Sequence, residues 1–373
     1  MAEKFSLKDH LFNPETVGQL AAEYAAGVPG FDAARFEAEA LSGFAERELL
    51  ARLEWMADCL EGQLAVDFPL MADQLEAAMP PPLDPSLRDD DFGRFIHALP
   101  GILAVRHGLE DHRERALDLL YAATQRFSME FYIRPFLNRW PEETLSRLAV
   151  WTEDDNYHVR RLVSEGTRPK LPWAKAVTLK TEQRLPLLER LHADPTRYVT
   201  RSVANHLNDI TKTEPETVVG VLQGWAKAGR QEAKELGWMT RHALRTLVKD
   251  GHAGALAHLG YRGDVAVEAT LDLGAETFAI GEVLPVSCTL ACAQDLPVIV
   301  DYRIVFARPG EKTAEKVFKL KVAEVKAGKP LALVKKHRLK GDATTFTLHP
   351  GRHAVVLQVN GRDVARAAFD LTA

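Results

Sequence analysis

A chain of 373 residues is longer than one hydrophobic core usually supports, so we expect two domains or an elongated repeat domain with a second domain attached. Hydrophobic residues at 46% and charged residues at 27% exclude a largely disordered chain, and no apolar run approaches the roughly 18 residues of a membrane span. The net charge of −5, taken whole, argues against a nucleic-acid partner.

The distribution of charge along the chain reverses that inference. Residues 1–120 contain 10 Lys and Arg against 23 Asp and Glu, residues 121–262 contain 22 against 16, and residues 263–373 contain 15 against 13. The basic excess therefore lies in the middle of the chain, which favours a polyanionic partner there. The N-terminus lacks the basic and apolar segments of a secretory signal, so we expect a cytoplasmic protein.

The region from residue 1 to residue 260 has the apolar spacing of helices, as at Leu49, Leu53, Met56 and Leu60. Prolines divide it into segments of about 10 to 18 residues, the length of ordinary helices. The breaks are predicted at residues 80–82, 84–85, 100–101, 140–141, 172 and 194–195, and residues 80–91 are predicted to form the most exposed loop.

A repeat with a period of forty residues runs through this helical region. The repeated positions are Val159, Val199 and Met239; Arg161, Arg201 and Arg241; and Val163, Val203 and Ala243. A period near forty is typical of HEAT and armadillo repeats, whose stacked helices share a core and form a concave surface. The prediction is a mostly α protein in which residues 1–260 form a HEAT-like helical-repeat solenoid.

Each repeated arginine begins a polar stripe, because helix positions four residues apart lie along one line. The predicted stripes are Arg161 and Glu165; Arg201, Asn205 and Asp209; Arg241, Arg245 and Lys249; and, one helix earlier, Arg126, Glu130 and Arg134. Such stripes are most often solvated helix faces. The recurrence of arginine, which can hold a phosphate with two hydrogen bonds, and the aromatic residues nearby favour a surface that binds DNA.

After Gly260 the sequence alternates β-branched and polar residues, which is typical of strands. Strands are predicted at residues 264–271, 284–290, 297–306, 316–322, 331–339, 344–348, 353–359 and 364–371, with a hairpin at Asn360-Gly361. This pattern predicts a small immunoglobulin-like β-sandwich over residues 261–373. Its basic cluster at residues 335–340 is either a DNA contact or a charged edge strand that prevents aggregation.

Three cysteines are too few for a disulfide framework, and no Cys and His cluster has the spacing of zinc ligands, so we expect no metal.

Three segments of the helical region carry a family resemblance: TQRFSMEFYIRPF at residues 124–136, HVRRLVSEGTRPKLPW at 158–173 and RSVANHLNDITK at 201–212. They resemble the DNA alkylation repair glycosylases built from HEAT-like repeats, specifically the AlkC branch of the AlkC/AlkD superfamily. The resemblance extends over at least residues 5–250. The C-terminal sandwich agrees with it, because some members of the AlkC branch carry an immunoglobulin-like domain.

The resemblance implies a monofunctional DNA glycosylase that excises cationic N-alkylated bases, chiefly 3-methyladenine, from alkylated double-stranded DNA. It further implies that the enzyme does not flip the base and needs neither a metal nor an organic cofactor, and we expect a monomer. The alternatives are a non-catalytic HEAT-like scaffold that binds DNA or protein, and a glycosylase with the AlkD-like specificity that includes 7-methylguanine.

The resemblance also implies that Glu130 and Glu165 are catalytic acids, with Asp209 as a third. Carboxylates suit this chemistry because they stabilise the positive charge that develops on the deoxyribose. With the stripes, it predicts the following DNA-binding residues: Arg134, Arg160, Arg161, Trp173, Arg201, Asn205, Arg241 and Arg245.

Overall fold

The computed structural model describes residues 6–86, 92–310, 312–341 and 346–373. Helices occupy the chain as far as His258 and strands occupy it from Glu268 onward, which confirms the predicted order of a helical-repeat region and a β domain. None of the helices among the described residues is long and apolar enough to span a membrane.

The helices in chain order are α1 (Leu7–Leu11), α2 (Pro14–Gly27), α3 (Ala33–Ser42), α4 (Leu49–Glu61), α5 (Phe68–Ala77), α6 (Leu99–Gly108), α7 (Arg113–Thr124), α8 (Ile133–Arg139), α9 (Pro141–Trp151), α10 (Tyr157–Gly166), α11 (Thr181–Leu191), α12 (Arg197–Ile210), α13 (Pro215–Ala228), α14 (Ala233–Ala243), α15 (Arg245–Lys249) and α16 (Ala253–His258), with a 3₁₀ turn at Phe95–Ala98. The predicted break at residues 140–141 coincides with the start of α9 at Pro141. The predicted break at residues 100–101 is wrong, because Pro100 lies in the first turn of α6, where a proline is tolerated, and the 3₁₀ turn runs directly into that helix. Pro186, by contrast, lies inside α11.

The chain divides into two compact units. The first contains residues 1–210 and 229–239, and the second contains residues 211–228 and 240–373. This division differs from the predicted boundary at residue 260, because the segment around residues 251–262 contacts the sandwich. A Cβ placed on Gly361 would lie only 2.7 Å from the Cα of Gly251, and Asn360 Nδ2 donates to the carbonyl of Arg262 at 2.9 Å.

The forty-residue repeat recurs in the turns that precede α10 and α12. The backbone N–H of Asn156 donates to Asp154 Oδ1 at 2.8 Å, and that of Thr196 donates to Asp194 Oδ1 at the same distance. These turns satisfy backbone groups just before each helix begins. The two turns therefore have the same local structure, forty residues apart.

The apolar positions of the repeat form the core between stacked helices. Each has no exposed surface: Val159, Val163, Val199, Val203, Met239 and Ala243. In the first unit, α10 packs against α12, α11 and α9. The apolar part of the repeat prediction is therefore confirmed, because these side chains point away from the polar stripes.

One predicted stripe is wrong. Because α7 ends at Thr124 and α8 begins at Ile133, residues 126, 130 and 134 do not lie on a single helix. The chain leaves the helix where Phe127 forms a β-bridge with Gly93 and Arg126 Nε donates to the carbonyl of Pro80 at 2.8 Å. Glu130 consequently lies in a turn.

The sandwich consists of β1 (Glu268–Asp272), β2 (Thr277–Ala279), β3 (Val283–Ala291), β4 (Leu296–Ala307), β5 (Thr313–Val325), β6 (Leu331–Arg338), β7 (Gly351–Val359) and β8 (Arg362–Thr372). One sheet has the order β1-β3-β6 and the other has the order β2-β8-β7-β4-β5. All pairs are antiparallel except β2 with β8. Buried side chains such as Leu284, Tyr302 and Phe369 fill the space between the sheets.

Most predicted strands are confirmed, with three differences. The first strand begins at Glu268 rather than at residue 264, and β2, only three residues long, was not predicted. Residues 346–348 form no strand, and residues 344 and 345 lie outside the described part of the chain. In the predicted exposed loop, residues 80–86 form neither helix nor strand, while residues 87–91 are likewise not described. The basic cluster lies on β6, which is an edge strand of its sheet.

Candidate active site

The three predicted acids meet in the first unit through two arginines. Arg161 Nη1 lies 2.7 Å from Glu130 Oε2, and Arg161 Nη2 lies 3.9 Å from Glu165 Oε2. Arg168 Nη1 lies 2.5 Å from Glu165 Oε1, and Arg168 Nη2 lies 2.9 Å from Asp209 Oδ2. These five residues form a continuous chain of alternating charge, which we call the carboxylate–arginine row.

Different elements supply the members of the row. Glu130 comes from the turn between α7 and α8, Glu165 from the last turn of α10, and Asp209 from the last turn of α12. Gly166 permits the close approach of the first two elements, because a Cβ at that position would lie only 2.5 Å from Ile133 Cγ2, at the start of α8. The packing of a repeat against its neighbour therefore sets the spacing of the carboxylates.

Hydroxyl groups complete the coordination of two carboxylates. Ser202 Oγ donates to Glu165 Oε2 at 2.6 Å and lies 2.9 Å from Ser164 Oγ. Ser128 Oγ lies 2.5 Å from Glu130 Oε2 and accepts a hydrogen bond from Arg161 Nη1 at 2.9 Å. Each acid thus has neutral as well as cationic donors, which favours a fixed orientation.

The electrostatic balance keeps Glu165 ionised. Burial by itself raises the pKa of this carboxyl, but the charges of Arg161 and Arg168, together with the Ser202 hydrogen bond, outweigh it and hold the pKa below the ordinary value of 4.5. The Glu165 side chain is 6% exposed and that of Glu130 is 18% exposed, so Glu130 is the more accessible acid.

Aromatic rings support Arg161 from one side. The guanidinium carbon lies 4.6 Å from the centre of the Tyr198 ring, a favourable cation–π contact. Phe92 packs edge-on against Tyr198 with ring centres 5.3 Å apart, and burial raises the pKa of Tyr198 to about 12. The phenol therefore stays neutral beside the row.

Arg134 and Arg160 bond oxygen atoms of the protein itself, and their predicted contacts with DNA stay predictions. Arg134 is 0% exposed, and its Nη1 donates to the carbonyls of Gly166 and Arg168 at 2.9 and 2.8 Å. Burial, with nearby arginines, lowers the pKa of Arg134 to about 10. Arg160 Nε donates to the buried carboxylate of Asp194 at 2.6 Å. Arg134 stabilises the fold from the interior, whereas the Arg160 side chain is 13% exposed, as is that of Arg161.

Trp173 is an exposed and strained residue. Its side chain is 69% exposed and its φ of 65° lies in the left-handed region, which is uncommon for a residue other than glycine. It borders a groove of about 220 Å³ that Phe131 and Tyr132 also line, directly after Glu130 in the chain. Strain of this kind is concentrated at functional sites, so the position agrees with a contact to a ligand.

The remaining predicted DNA-binding residues lie in two places. Arg201 and Asn205 are half-buried on α12 in the first unit. Arg241 and Arg245 are exposed in the second unit, where they line a cavity of about 430 Å³ with Lys249 and Lys319. The same cavity contains the buried carboxylate of Asp301, and burial raises the pKa of that group.

Sequence reasoning did not single out Arg168. The forty-residue register drew attention to Arg161, whereas the positions forty and eighty residues after Arg168 are Asn208 and Val248. The available signal was local, since Arg168 follows Glu165 by three residues, a spacing at which helical side chains meet. Within the described parts of the chain, no group of His, Cys, Asp or Glu side chains is arranged to hold a metal ion.

Comparison with known proteins found a family for the β domain and a relative that covers most of the chain. Residues 267–373 match the family described as the C-terminal Ig-like domain of uncharacterised protein YhaZ. The uncharacterised protein YhaZ of Bacillus subtilis is 35% identical over 279 residues, which cover 73% of this chain and 76% of that protein.

A solved structure extends the likeness over nearly the whole chain. It is the alkylpurine DNA glycosylase AlkC of Pseudomonas fluorescens, bound to DNA containing an abasic site analogue. It is 33% identical with a TM-score of 0.86, and the likeness covers 99% of this chain and 100% of that one. The chain therefore belongs to the AlkC branch of the AlkC/AlkD superfamily.

Proposed function

We propose that this protein is a monofunctional DNA glycosylase that excises cationic N-alkylated bases, chiefly 3-methyladenine, from double-stranded DNA. The observation that carries the proposal is the carboxylate–arginine row, in which three acids converge in a chain that is 33% identical to an alkylpurine DNA glycosylase. We further propose that it acts as a monomer, in the cytoplasm, without flipping the base and without a metal or an organic cofactor.

The chemistry follows from the charge of the substrate. Alkylation at purine N3 makes the base cationic, so it leaves as a neutral molecule with the electron pair of the C1′–N bond. Positive charge then develops on the deoxyribose, where fixed carboxylates stabilise it. Water adds to C1′ and gives up its proton to a carboxylate or to solvent, which leaves an abasic site.

Glu165 and Glu130 suit different parts of this reaction. Glu165 is deeply buried and ionised, so it supplies a permanent negative charge in a low-dielectric setting. Glu130 is more accessible, so it can meet the incoming water or the sugar. Asp209 extends the negative charge along the row.

The arginines allow such a site to face DNA. Three carboxylates would be repelled by phosphates, but Arg161 and Arg168 neutralise much of that charge while keeping Glu165 ionised. We assign contact with the duplex to the half-buried or exposed residues Trp173, Arg201, Asn205, Arg241 and Arg245. Arg161, whose side chain is 13% exposed, lies between these contacts and Glu130 in the proposal and balances the charge of the acids.

Release of bases from methylated duplex DNA tests the proposed function. We expect the purified protein to release 3-methyladenine faster than 7-methylguanine, as chromatography of the free bases would reveal. Binding to DNA with no release of either base would favour the scaffold, and efficient release of 7-methylguanine would favour the broader, AlkD-like specificity.

A further inference from the structure

Arg168 occupies a special place in the carboxylate–arginine row, because it joins the acids of two successive repeat helices. Its Nη1 lies 2.5 Å from Glu165 on α10, while its Nε and Nη2 both lie 2.9 Å from Asp209 Oδ2 on α12. We propose that Arg168 is a positioning residue that holds these two carboxylates at a fixed spacing, so that both act on one deoxyribose. This inference rests on the proposed glycosylase function.

The backbone of Arg168 is anchored as firmly as its side chain. Its carbonyl oxygen accepts a hydrogen bond from Arg134 Nη1 at 2.8 Å, and the same nitrogen donates to the carbonyl of Gly166 at 2.9 Å. Arg134 is fully buried, so it fixes the segment that follows α10 from inside the unit. Because both the backbone and the guanidinium of Arg168 are held by hydrogen bonds, the side chain has little freedom to move towards a ligand.

A direct phosphate contact is the competing role for Arg168. Three of its nitrogens already bond carboxylates, and its side chain is only 13% exposed. Moving to a phosphate would break charge-assisted hydrogen bonds and leave Glu165 buried with one cation fewer, which is unfavourable. The geometry therefore favours a role exerted through the acids.

The pH response of Glu165 depends on groups from every element around it. Those that act on it directly are Arg161, Arg168, Arg134, Tyr198 and Ser202. Glu130 and Asp209 lie beyond the two arginines of the row, and Arg184 and His206 lie beside Arg134 and Arg168. His206 stays neutral because burial holds its pKa well below the usual value. Removal of Arg168 takes away one of the two arginines beside Glu165. The effect of burial is then less well opposed, so the pKa of Glu165 rises.

The test compares Arg168→Gln and Arg168→Lys with the wild type in the full-length protein. Single-turnover release of 3-methyladenine is measured from pH 5 to 8, with spontaneous loss from DNA alone subtracted. Binding to duplex DNA with an abasic-site analogue is measured over a range of salt. Arg52→Gln is the matched control, since Arg52 is also buried and lies 2.7 Å from a carboxylate, that of Asp9, away from the row.

For Arg168→Gln we expect the release rate to fall by about tenfold to hundredfold, because a misplacement of about 1 Å costs on the order of 100-fold. The pH below which the release rate falls should rise by about one to three units, because Glu165 loses a neighbouring cation. Affinity for DNA should weaken modestly, because Arg168 no longer offsets the charge of the carboxylates, but its salt slope should fall by clearly less than the value of about 1 that a lost phosphate contact gives. Arg168→Lys, which keeps the charge, should bind DNA like the wild type. Arg168→Lys should restore the pH profile but not the rate, since an ammonium keeps the charge without bonding both carboxylates. Arg52→Gln should keep the wild-type pH profile.

The contrary outcomes are distinct. A wild-type rate in Arg168→Lys would overturn the inference even if Arg168→Gln fails to fold. A salt slope reduced by about 1 in Arg168→Gln would instead identify a phosphate contact. If the wild-type protein itself releases no base, the proposed function fails; if the wild type is active and Arg168→Gln matches it in rate and pH profile, only the positioning role fails.

Discussion

At the scale of single residues, neighbours rather than residue type decide what each charged group does. Arg134, Arg160 and Arg161 were predicted to share one role, and in the structure each has different partners: Arg134 donates to backbone carbonyls, Arg160 to Asp194, and Arg161 to Glu130. A guanidinium has five donors and no acceptor, so its function follows from whichever oxygens surround it.

Glu165→Gln should retain DNA binding and lose most excision of 3-methyladenine, by about 100-fold or more, because removal of a preorganised electrostatic group costs on the order of 10²–10³ in rate. Glu130→Gln should act in the same direction. Glu114→Gln, which changes an exposed acid paired with Arg147, is the control and should excise normally. Full activity in both row variants would exclude these acids from catalysis.

The stability of the fold should report the ionisation of Glu165. Its pKa is lower in the folded protein than its ordinary value of 4.5, so its charge stabilises the fold above that pH, and this contribution disappears as the pH falls through the folded pKa. The difference in unfolding free energy between the wild type and Glu165→Gln should therefore be largest near pH 6 and should narrow towards pH 3. Chemical denaturation at several pH values measures it, and a constant difference would contradict the assigned charge state.

Arg201→Ala should weaken DNA binding and lower the salt slope by about 1, since one phosphate contact is lost. Arg201 carries the arginine register onto α12 and is half-buried rather than interior. Fluorescence anisotropy with a labelled duplex at several salt concentrations measures both quantities. An unchanged slope would show that Arg201 makes no phosphate contact and belongs to an ordinary solvated helix face.

At the scale of elements, the close approach of the end of α10 to the start of α8 sets the position of Glu165 relative to Glu130. Gly166 ends α10 and faces Ile133, which begins α8 three residues after Glu130. The absence of a side chain lets the two elements approach, so a change at this position alters the distance between the turn that carries Glu130 and the helix that carries Glu165.

Gly166→Ala should destabilise the protein by about 1–3 kcal/mol, the usual cost of extra volume in a packed interior. Gly220→Ala is the matched control, because Gly220 lies in α13 with no atom within 4 Å of the new Cβ and should stabilise by about 0.5–1 kcal/mol. Thermal or denaturant unfolding of both variants measures the change in unfolding free energy, which should have opposite signs in the two. Equal effects would mean that the α8–α10 contact is looser than the structure indicates.

At the scale of the whole molecule, the distribution of charge matters more than its sum. The net charge is −5, yet residues 121–262 carry an excess of basic residues and contain the carboxylate–arginine row. The acidic excess belongs to residues 1–120, where surface arginines such as Arg106 and Arg115 bond several acids from neighbouring helices.

DNA affinity should consequently fall steeply as salt rises, although the protein is acidic overall. Each phosphate contact contributes about 0.9 to the slope of log affinity against log salt, so several contacts give a slope of several units. The measurement is the binding of undamaged duplex between low and physiological salt. A flat response would show that the basic middle region does not meet the phosphate backbone.

Much of the fold could be predicted from local sequence. The forty-residue spacing identified the buried positions Val159 and Val199, and alternation identified most strands. The Asn360-Gly361 pair identified a hairpin whose two residues have φ of 48° and 79°, values that Asn and Gly tolerate best. These features follow from periodicity and backbone sterics, which act over a few residues.

Which charges meet was decided only by the tertiary structure. The sequence and its family resemblance identified Glu130, Glu165 and Asp209, but the link between them runs through Arg168, which no repeat position marks, and through a turn at Glu130 that was predicted as helix. Likewise, only packing made Arg134 an interior residue. The physical reason is that side chains distant in sequence pair according to how the helices stack, and spacing along one helix does not specify the neighbour that its polar face will meet.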